Sequence, residues 1–344
     1  MTAVAWANEA VGGDDLGTDE RRLIGVAVIG AGHWGPNLIR NFHNQRSSHV
    51  VWVVDRDEAR REHVALRHPE IRIAGDVEAP LSDPAVEAVV VATPTATHHR
   101  LVRSALLAGK HVFVEKPITD DPAAADELCR LADAHDLVLM VGHVFVFNAA
   151  IQRARQLIGS GDLGRVYYVS MVRTNLGPIR VDVNAAWDLA AHDVAIANYW
   201  LDSEPLGVSA MGAAWINTGI EDAIFATLRY PDDVLVTLHA SWLNPRKARD
   251  ITVVGDRRML TFDDLNMVEP LRVYDHGVTD DVITPAYIDT FDTFRASTRQ
   301  GDIVIPRVPT TEPLTTECEH FLECVRFHKV PVTDGRSGLA VVRA

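Results

Sequence analysis

Two groups of side chains have types and spacing that could do chemistry. The first lies in Trp187-Asp188-Leu189-Ala190-Ala191-His192-Asp193. On a helix, Asp188 and His192 are four apart and share one face, so the carboxylate can orient the imidazole or tune its basicity. That is an acid/base pair, although a solvated helix face has the same spacing. Asp193 falls on a neighbouring face and suits a structural or supporting role. A metal site built from Asp188, His192 and His143 is a rival arrangement, but no clear third ligand backs it and no metal is expected. Just upstream, Arg173, Asn175, Arg180 and Asn184 offer forked donors suited to phosphate, carboxylate or hydroxyl groups. The stretch Ser241 to Arg249 has the same character and is expected to face the same pocket. For any one of these residues, ordinary loop solvation is an equal reading.

The second group is a glycine loop, Gly30-Ala31-Gly32-His33-Trp34-Gly35, directly after the apolar run IGVAVI and before a segment of helical character. Such a loop gives a tight turn, lets the backbone approach a pyrophosphate and places that group on a helix N-terminus. Alone it is a weak signal, since three glycines often mark only a turn. Its context strengthens it. Twenty residues after Gly35 the next apolar run ends in Asp55, a carboxylate placed to accept from an adenosine ribose and to repel a 2'-phosphate. This favours NAD, while Arg56 beside it keeps NADP open. Asp55 is also a candidate N-cap for a helix over 57–66.

The elements that must position these groups follow from the pattern of apolar residues. From Leu23 to about Gly142, short Val/Ile-rich runs alternate with stretches of helical period, which predicts βαβ units around a parallel sheet of Rossmann type. Beyond Asn148 the rhythm changes to alternating runs such as VYYVSMV, IFATLRY and VLVTLHASW, with turn signals such as Tyr230-Pro231-Asp232-Asp233. A large, mainly antiparallel open sheet is expected there, interrupted by a helix over 187–201. The chain is therefore divided into a tail over 1–21, a dinucleotide-binding α/β domain over 22–145, and an α+β domain over 146–344, to which the resemblance described below assigns substrate binding and oligomerisation.

The bulk composition removes several classes of protein. The chain has 344 residues, 47% of them hydrophobic, enough for two cores. A formal charge of -14 argues against nucleic acid and anionic lipid as partners. Cys129, Cys318 and Cys324 form neither a disulfide framework nor a zinc pattern, which points to a reducing cytoplasm. The first twenty residues lack a basic leader and a long apolar run, so neither a signal peptide nor a membrane anchor is expected.

Further motifs carry a resemblance. The fourth apolar run leads into Ala92-Thr93-Pro94-Thr95-Ala96-Thr97-His98 and the fifth into Glu115-Lys116-Pro117. With the glycine loop, these resemble the glucose-fructose oxidoreductase, inositol dehydrogenase and related (Gfo/Idh/MocA) family over nearly the whole chain. The Glu-Lys-Pro triplet is the more specific motif. The resemblance implies that Lys116 lies near the nicotinamide and the reacting carbinol, that Lys116-Pro117 is cis, and that Asp188 and His192 belong to the active site. Without it, Lys116 would read as a surface lysine at a strand end. It further implies cofactor contacts at Gly30, Gly32, His33, Trp34, Gly35, Asp55, Arg56, Thr93, Thr95, His98, Glu115 and Lys116. Substrate contacts are expected at Lys116, Arg173, Asn175, Arg180, Asn184 and His192. The implied activity is NAD- or NADP-dependent oxidation of a secondary alcohol, most similar to enzymes acting on the 3-hydroxyl of nucleotide-linked sugars, or the reverse reduction. An inositol, cyclitol or free-sugar dehydrogenase is the alternative, and a non-catalytic dinucleotide sensor the alternative of another class. A homodimer or homotetramer is expected. The chain stops at Ala344, short of a further helix common in the family, which leaves open whether the last helix docks on the first domain.

Overall fold

The computed structural model describes residues 22–278 and 298–344; the expected acidic tail lies outside the described residues. A six-stranded sheet is built from β1 (Ile24–Ile29), β2 (Ser48–Val54), β3 (Arg72–Ala74), β4 (Ala88–Val91), β5 (His111–Glu115) and β6 (Leu139–Gly142). Its order is β3-β2-β1-β4-β5-β6, and every pairing is parallel. β1, β4 and β6 are buried at every residue, as unbroken apolar runs require when helices cover both faces. Helices α1 (Gly35–Asn44), α2 (Glu58–Arg67), α3 (Glu78–Ser82), α4 (His98–Leu107) and α5 (Pro122–Ala134) connect these strands.

The second sheet has eight strands: β7 (Val166–Leu176), β8 (Gly207–Ala213), β9 (Ala223–Arg229), β10 (Leu235–Ser241), β11 (Leu243–Gly255), β12 (Met259–Asp263), β13 (Leu271–Val278) and β14 (Thr298–Val304). Their order is β14-β13-β12-β11-β7-β10-β9-β8, antiparallel except for the central β7/β10 pair. One face packs on α6 (Ala149–Gly159) and α7 (Ala191–Leu201), with Trp200, Met171, Val236 and Val253 in the shared core. The other face is open: Met211, Phe225 and Leu235 stand exposed on it. The period of two along β10, apolar side chains alternating between core and surface, produces this asymmetry.

The final helices do not stay with the second sheet. α8 (Pro313–Phe327) packs on the first, its Phe321 edge-on to Phe42 and Phe113 at centroid distances of 6.1 and 5.7 Å. α9 (Gly335–Arg343) lies on α5 and β6, and Val141 N–H donates to the Thr333 carbonyl at 2.8 Å. The last helix therefore does dock on the first sheet, and the division at residue 145 is crossed a second time by the chain.

Candidate active site

The strand order of the first sheet reverses between β1 and β4, and the glycine loop occupies the carboxyl end of β1 at that point. Open α/β sheets bind ligands in the crevice such a reversal creates. Gly30 has φ 102°, and a Cβ there would stand 2.4 Å from the Ala92 carbonyl oxygen. A Cβ on Gly35 would stand 2.1 Å from the Gly30 carbonyl oxygen. Any side chain at either position must displace backbone, so the tight course of the loop depends on glycine. Helix α1 starts at Gly35 with Pro36 in its first turn and has no side-chain cap, which leaves its first N–H groups to an anionic ligand.

Asp55 braces this loop from the next strand. Its Oδ2 accepts from Ala31 N–H at 2.7 Å and its Oδ1 from Asp57 N–H at 2.9 Å. The expected capping role belongs to Asp57, whose carboxylate accepts from Arg60 N–H, because α2 begins one residue later than the sequence suggested. Arg56 is exposed, whereas Arg60, which sequence reasoning passed over, brings Nη1 to 3.6 Å from Asp55. One helical turn beyond the cap carries it back over the ribose side of the site. The uncapped helix start, the cradle that a Cβ would fill and the carboxylate beside it fit a dinucleotide. His33 and Trp34 are exposed at the rim of the loop.

Thr93 and Thr97 share a hydroxyl contact of 2.7 Å at the end of β4, with the partly buried Thr95 between them. His98 corrects an expectation. It is 1% exposed, with Nδ1 2.8 Å from the Pro117 carbonyl and Nε2 2.8 Å from the Thr93 carbonyl. Both nitrogens are engaged with backbone, so the ring ties two strand ends together and is not available to a cofactor.

Lys116-Pro117 is cis. Lys116 Nζ donates to the Asp188 carbonyl at 2.7 Å and lies 3.5 Å from its Oδ1. Burial holds the amine below the usual lysine range, opposed by the charges of Asp188 and Glu115. Burial likewise pushes the Glu115 carboxyl up to about 7, opposed by Lys116 and Trp34. Behind it, α8 buries Glu317 with both oxygens unpartnered, and burial and the neighbouring Glu115 push that carboxyl well above the usual range.

The acid/base pair is arranged differently from the helical-wheel expectation. Residues Ala186–Ala190 form a π-turn before α7, and Asp188 turns away from His192. Asp188 Oδ1 accepts from Arg180 Nη1 at 3.1 Å, and Oδ2 accepts from Trp242 Nε1 at 3.1 Å. His192 stands edge-on to Phe145 at 4.8 Å, and its Nδ1 is buried without a partner. Burial, then the charges of Lys116 and Arg173, press the imidazole well below its ordinary value, so the ring is neutral at pH 7. Asp188 thus anchors Lys116 instead of orienting His192.

Three of the expected substrate contacts are used internally. Arg173 is 4% exposed and donates through Nε and Nη2 to Asp193 Oδ1 at 2.9 and 2.7 Å, with its guanidinium 4.3 Å from the Phe145 ring centre. Asn175 Nδ2 donates to the Gly177 carbonyl within its own turn. Asn184 accepts from Trp187 N–H and donates to Glu221, which starts the π-turn. Arg180 does reach the site, divided between Asp182 and Asp188. Trp242 was missed as an individual residue, although its stretch was expected to face this pocket. The one signal in the sequence was an aromatic at the β10–β11 junction. Among the described residues, His143, Asp188 and His192 do not form a metal-ligand cluster.

Fold and site together define a two-domain oxidoreductase in which the π-turn of the second domain meets Lys116 at the end of a strand of the first. Comparison with known proteins makes this specific. Residues 24–143 match the model for the oxidoreductase family with an NAD-binding Rossmann fold, and residues 151–261 match the Gfo/Idh/MocA C-terminal domain. The chain belongs to the Gfo/Idh/MocA family and is an NAD(P)-dependent dehydrogenase acting on CH–OH groups. It is 29% identical over 323 residues to a UDP-N-acetylglucosamine 3-dehydrogenase of Acidithiobacillus ferrooxidans, covering 93% of this chain and 94% of the relative. A structure of that relative superposes with a TM-score of 0.79, again covering 93% and 94% of the two chains. A scyllo-inositol 2-dehydrogenase (NAD(+)) of Bacillus subtilis is 28% identical over 327 residues, 89% of this chain and 87% of the relative. GenD2 from gentamicin A biosynthesis, solved with NAD, shares the fold at a TM-score of 0.76 and 23% identity, covering 96% of this chain and 95% of its own.

Proposed function

We propose that the protein oxidises the 3-hydroxyl of a nucleotide-linked sugar, or runs the reverse reduction of the keto sugar. The observation that carries this reading is the convergence of Lys116, Asp188 and Arg180 beside the dinucleotide crevice, in a chain similar from end to end to a UDP-N-acetylglucosamine 3-dehydrogenase. Similarity of nearly the same extent to an inositol dehydrogenase supports a cyclitol as the second reading.

Bound NAD(P) supplies the hydride acceptor. The start of α1 would hold its pyrophosphate and Asp55 would accept from its ribose hydroxyls, which favours NAD. Arg60, beside that carboxylate, is the cation placed to admit NADP. His192, neutral at pH 7, takes the hydroxyl proton, and Lys116 leaves the Asp188 carbonyl to polarise the same oxygen. Exchanging these two roles leaves both residues essential. Arg180 and Trp242 hold Asp188, and through it the resting position of Lys116.

Residues 22–145 form the cofactor domain in this reading, and residues 146–344 the substrate and oligomerisation domain apart from the returning C-terminal helices. A second copy of the chain covers the open sheet face, where Met211 is 79% and Phe225 55% exposed, giving a dimer or tetramer. No helix among the described residues is long and apolar enough to cross a membrane, and the cytoplasm is the proposed location.

The test is a calorimetric titration with NAD and NADP, followed by a screen of UDP- and dTDP-sugars, free hexoses and inositols for reduced-nicotinamide absorbance. Oxidation of one nucleotide-sugar class is the expected result. Turnover of inositols alone would replace the first reading with the second, and near-normal turnover in His192→Ala would remove that residue from the mechanism.

A further inference from the structure

The structure assigns a divalent transition-metal site, of zinc type, to His43, His68 and Glu70, at the end of the first sheet away from the dinucleotide crevice. His43 lies in the last turn of α1, His68 caps the C-terminus of α2, and Glu70 lies in the turn before β3. Because α1 and α2 run back from the carboxyl ends of β1 and β2, their final turns meet beneath the sheet, on the side opposite the glycine loop.

The geometry is that of a three-ligand site. Glu70 Oε1 stands 3.6 Å from His43 Nε2 and 3.6 Å from His68 Nδ1. All three ligand atoms lie within 4.8 Å of one another, and among the described residues this is the one such group of His, Cys, Asp and Glu. Bonds of about 2.1 Å in a tetrahedron place neighbouring ligand atoms about 3.4 Å apart, so the two measured edges need to close by only about 0.2 Å. The imidazole rings are 4.7 Å apart between centroids, inclined at 60°, and both present a nitrogen to the same Glu70 oxygen. Among the described residues, neither nitrogen has another hydrogen-bond partner, so no existing bond must break.

The donor set selects the metal class. Two imidazoles and one carboxylate suit zinc, and disfavour magnesium and calcium, which take oxygen ligands. Both histidines are partly exposed and Glu70 is 54% exposed, leaving water as the fourth ligand. The site's effect is structural. It pins the ends of the two helices whose beginnings hold the adenosine half of the cofactor, and it lies far from Lys116 and His192. Sequence reasoning did not find it, because the first two ligands are twenty-five residues apart and neither stands in a zinc motif.

The experiment uses untagged, chelator-treated full-length protein titrated with zinc chloride by calorimetry, alongside thermal melting with and without zinc. One saturable site is expected, together with a zinc-dependent rise in melting temperature. His43→Ala and His68→Ala should each weaken binding by about a hundredfold and abolish the rise, leaving NAD-dependent turnover unchanged. Glu70→Gln, an exposed and gentle change, should weaken it about tenfold and keeps the test sound if a histidine variant folds poorly. Equal zinc affinity in the wild type and all three variants, or no saturable binding, would overturn the assignment.

Discussion

The cofactor crevice and the shelf of polar side chains beside it are built on different principles. The crevice is made of backbone: a glycine loop that excludes Cβ atoms, an uncapped helix start and one braced carboxylate. The shelf is made of long side chains from four separate segments, Lys116 after β5, Arg180 in the loop after β7, Asp188 in the π-turn and Trp242 between β10 and β11. Backbone sites are fixed by which residue types the chain tolerates. Side-chain sites are fixed by which partner each charge finds, and those partners can be far away in sequence. The crevice should therefore fail through binding, and the shelf through turnover.

The sharpest test of that contrast is Lys116→Met, which keeps the bulk of the side chain and removes its charge. Losing a positive donor at the reacting oxygen should lower kcat by about a thousandfold, or about 4 kcal/mol, while calorimetric NAD affinity changes little. A comparable loss of NAD affinity would place Lys116 in the crevice instead. Next in size is Arg173→Leu, which leaves Asp193 buried and uncompensated beneath the shelf. Breaking such a pair from one side costs about 3–5 kcal/mol, read as a large fall in denaturant midpoint. A midpoint within error of the wild type would return Arg173 to the substrate-binding role that its sequence suggested.

The same contrast explains what could be read before the fold was known. The parallel sheet was legible because its central strands β1 and β4 are buried on both faces and contain little besides Val, Ile and Ala. The antiparallel sheet was legible from its period of two. The tight turn at Gly30 and Gly35 was legible because it follows from local spacing, and the same spacing set Asp55 beside it. The Asp188–His192 pair was misread because a four-residue spacing implies a shared face only in an α-helix, and the chain forms a π-turn there. Arg173, Asn175 and Asn184 were assigned outward because donor chemistry says nothing about which acceptor lies nearest. His98 and Trp242 depend on contacts across 19 and 54 residues, respectively, which no local pattern encodes.

Trp242→Phe isolates the hold on Asp188. The indole donates to Oδ2, a bond to a charged group contributes about 1.5–3 kcal/mol, and Arg180 still holds Oδ1 when the indole is gone. A fall in kcat of about tenfold is expected, with NAD affinity unchanged. A pure stability loss at normal kcat would make Trp242 a packing residue alone.

The last test separates the two regions by pH, with an effect that is small at any one pH and accumulates across the window. Glu317 on α8 is sealed beside Glu115, and burial raises both carboxyls above their unfolded values. A raised carboxyl contributes its stability fully below the unfolded value near 4.5 and loses it as pH rises through the folded value, which is about 7 for Glu115. The folded state there binds protons the unfolded state has released, so stability should decline from pH 5 upward. Glu317→Gln keeps the shape and cannot ionise, which removes one of the two contributions. The variant should gain on the wild type by about 1.4 kcal/mol per pH unit across this window, measured by urea denaturation at a series of pH values. Curves parallel throughout the window would mean that Glu317 is not raised in the folded protein; a gap that widens and then becomes constant would locate the folded value of its carboxyl at the pH where the widening stops.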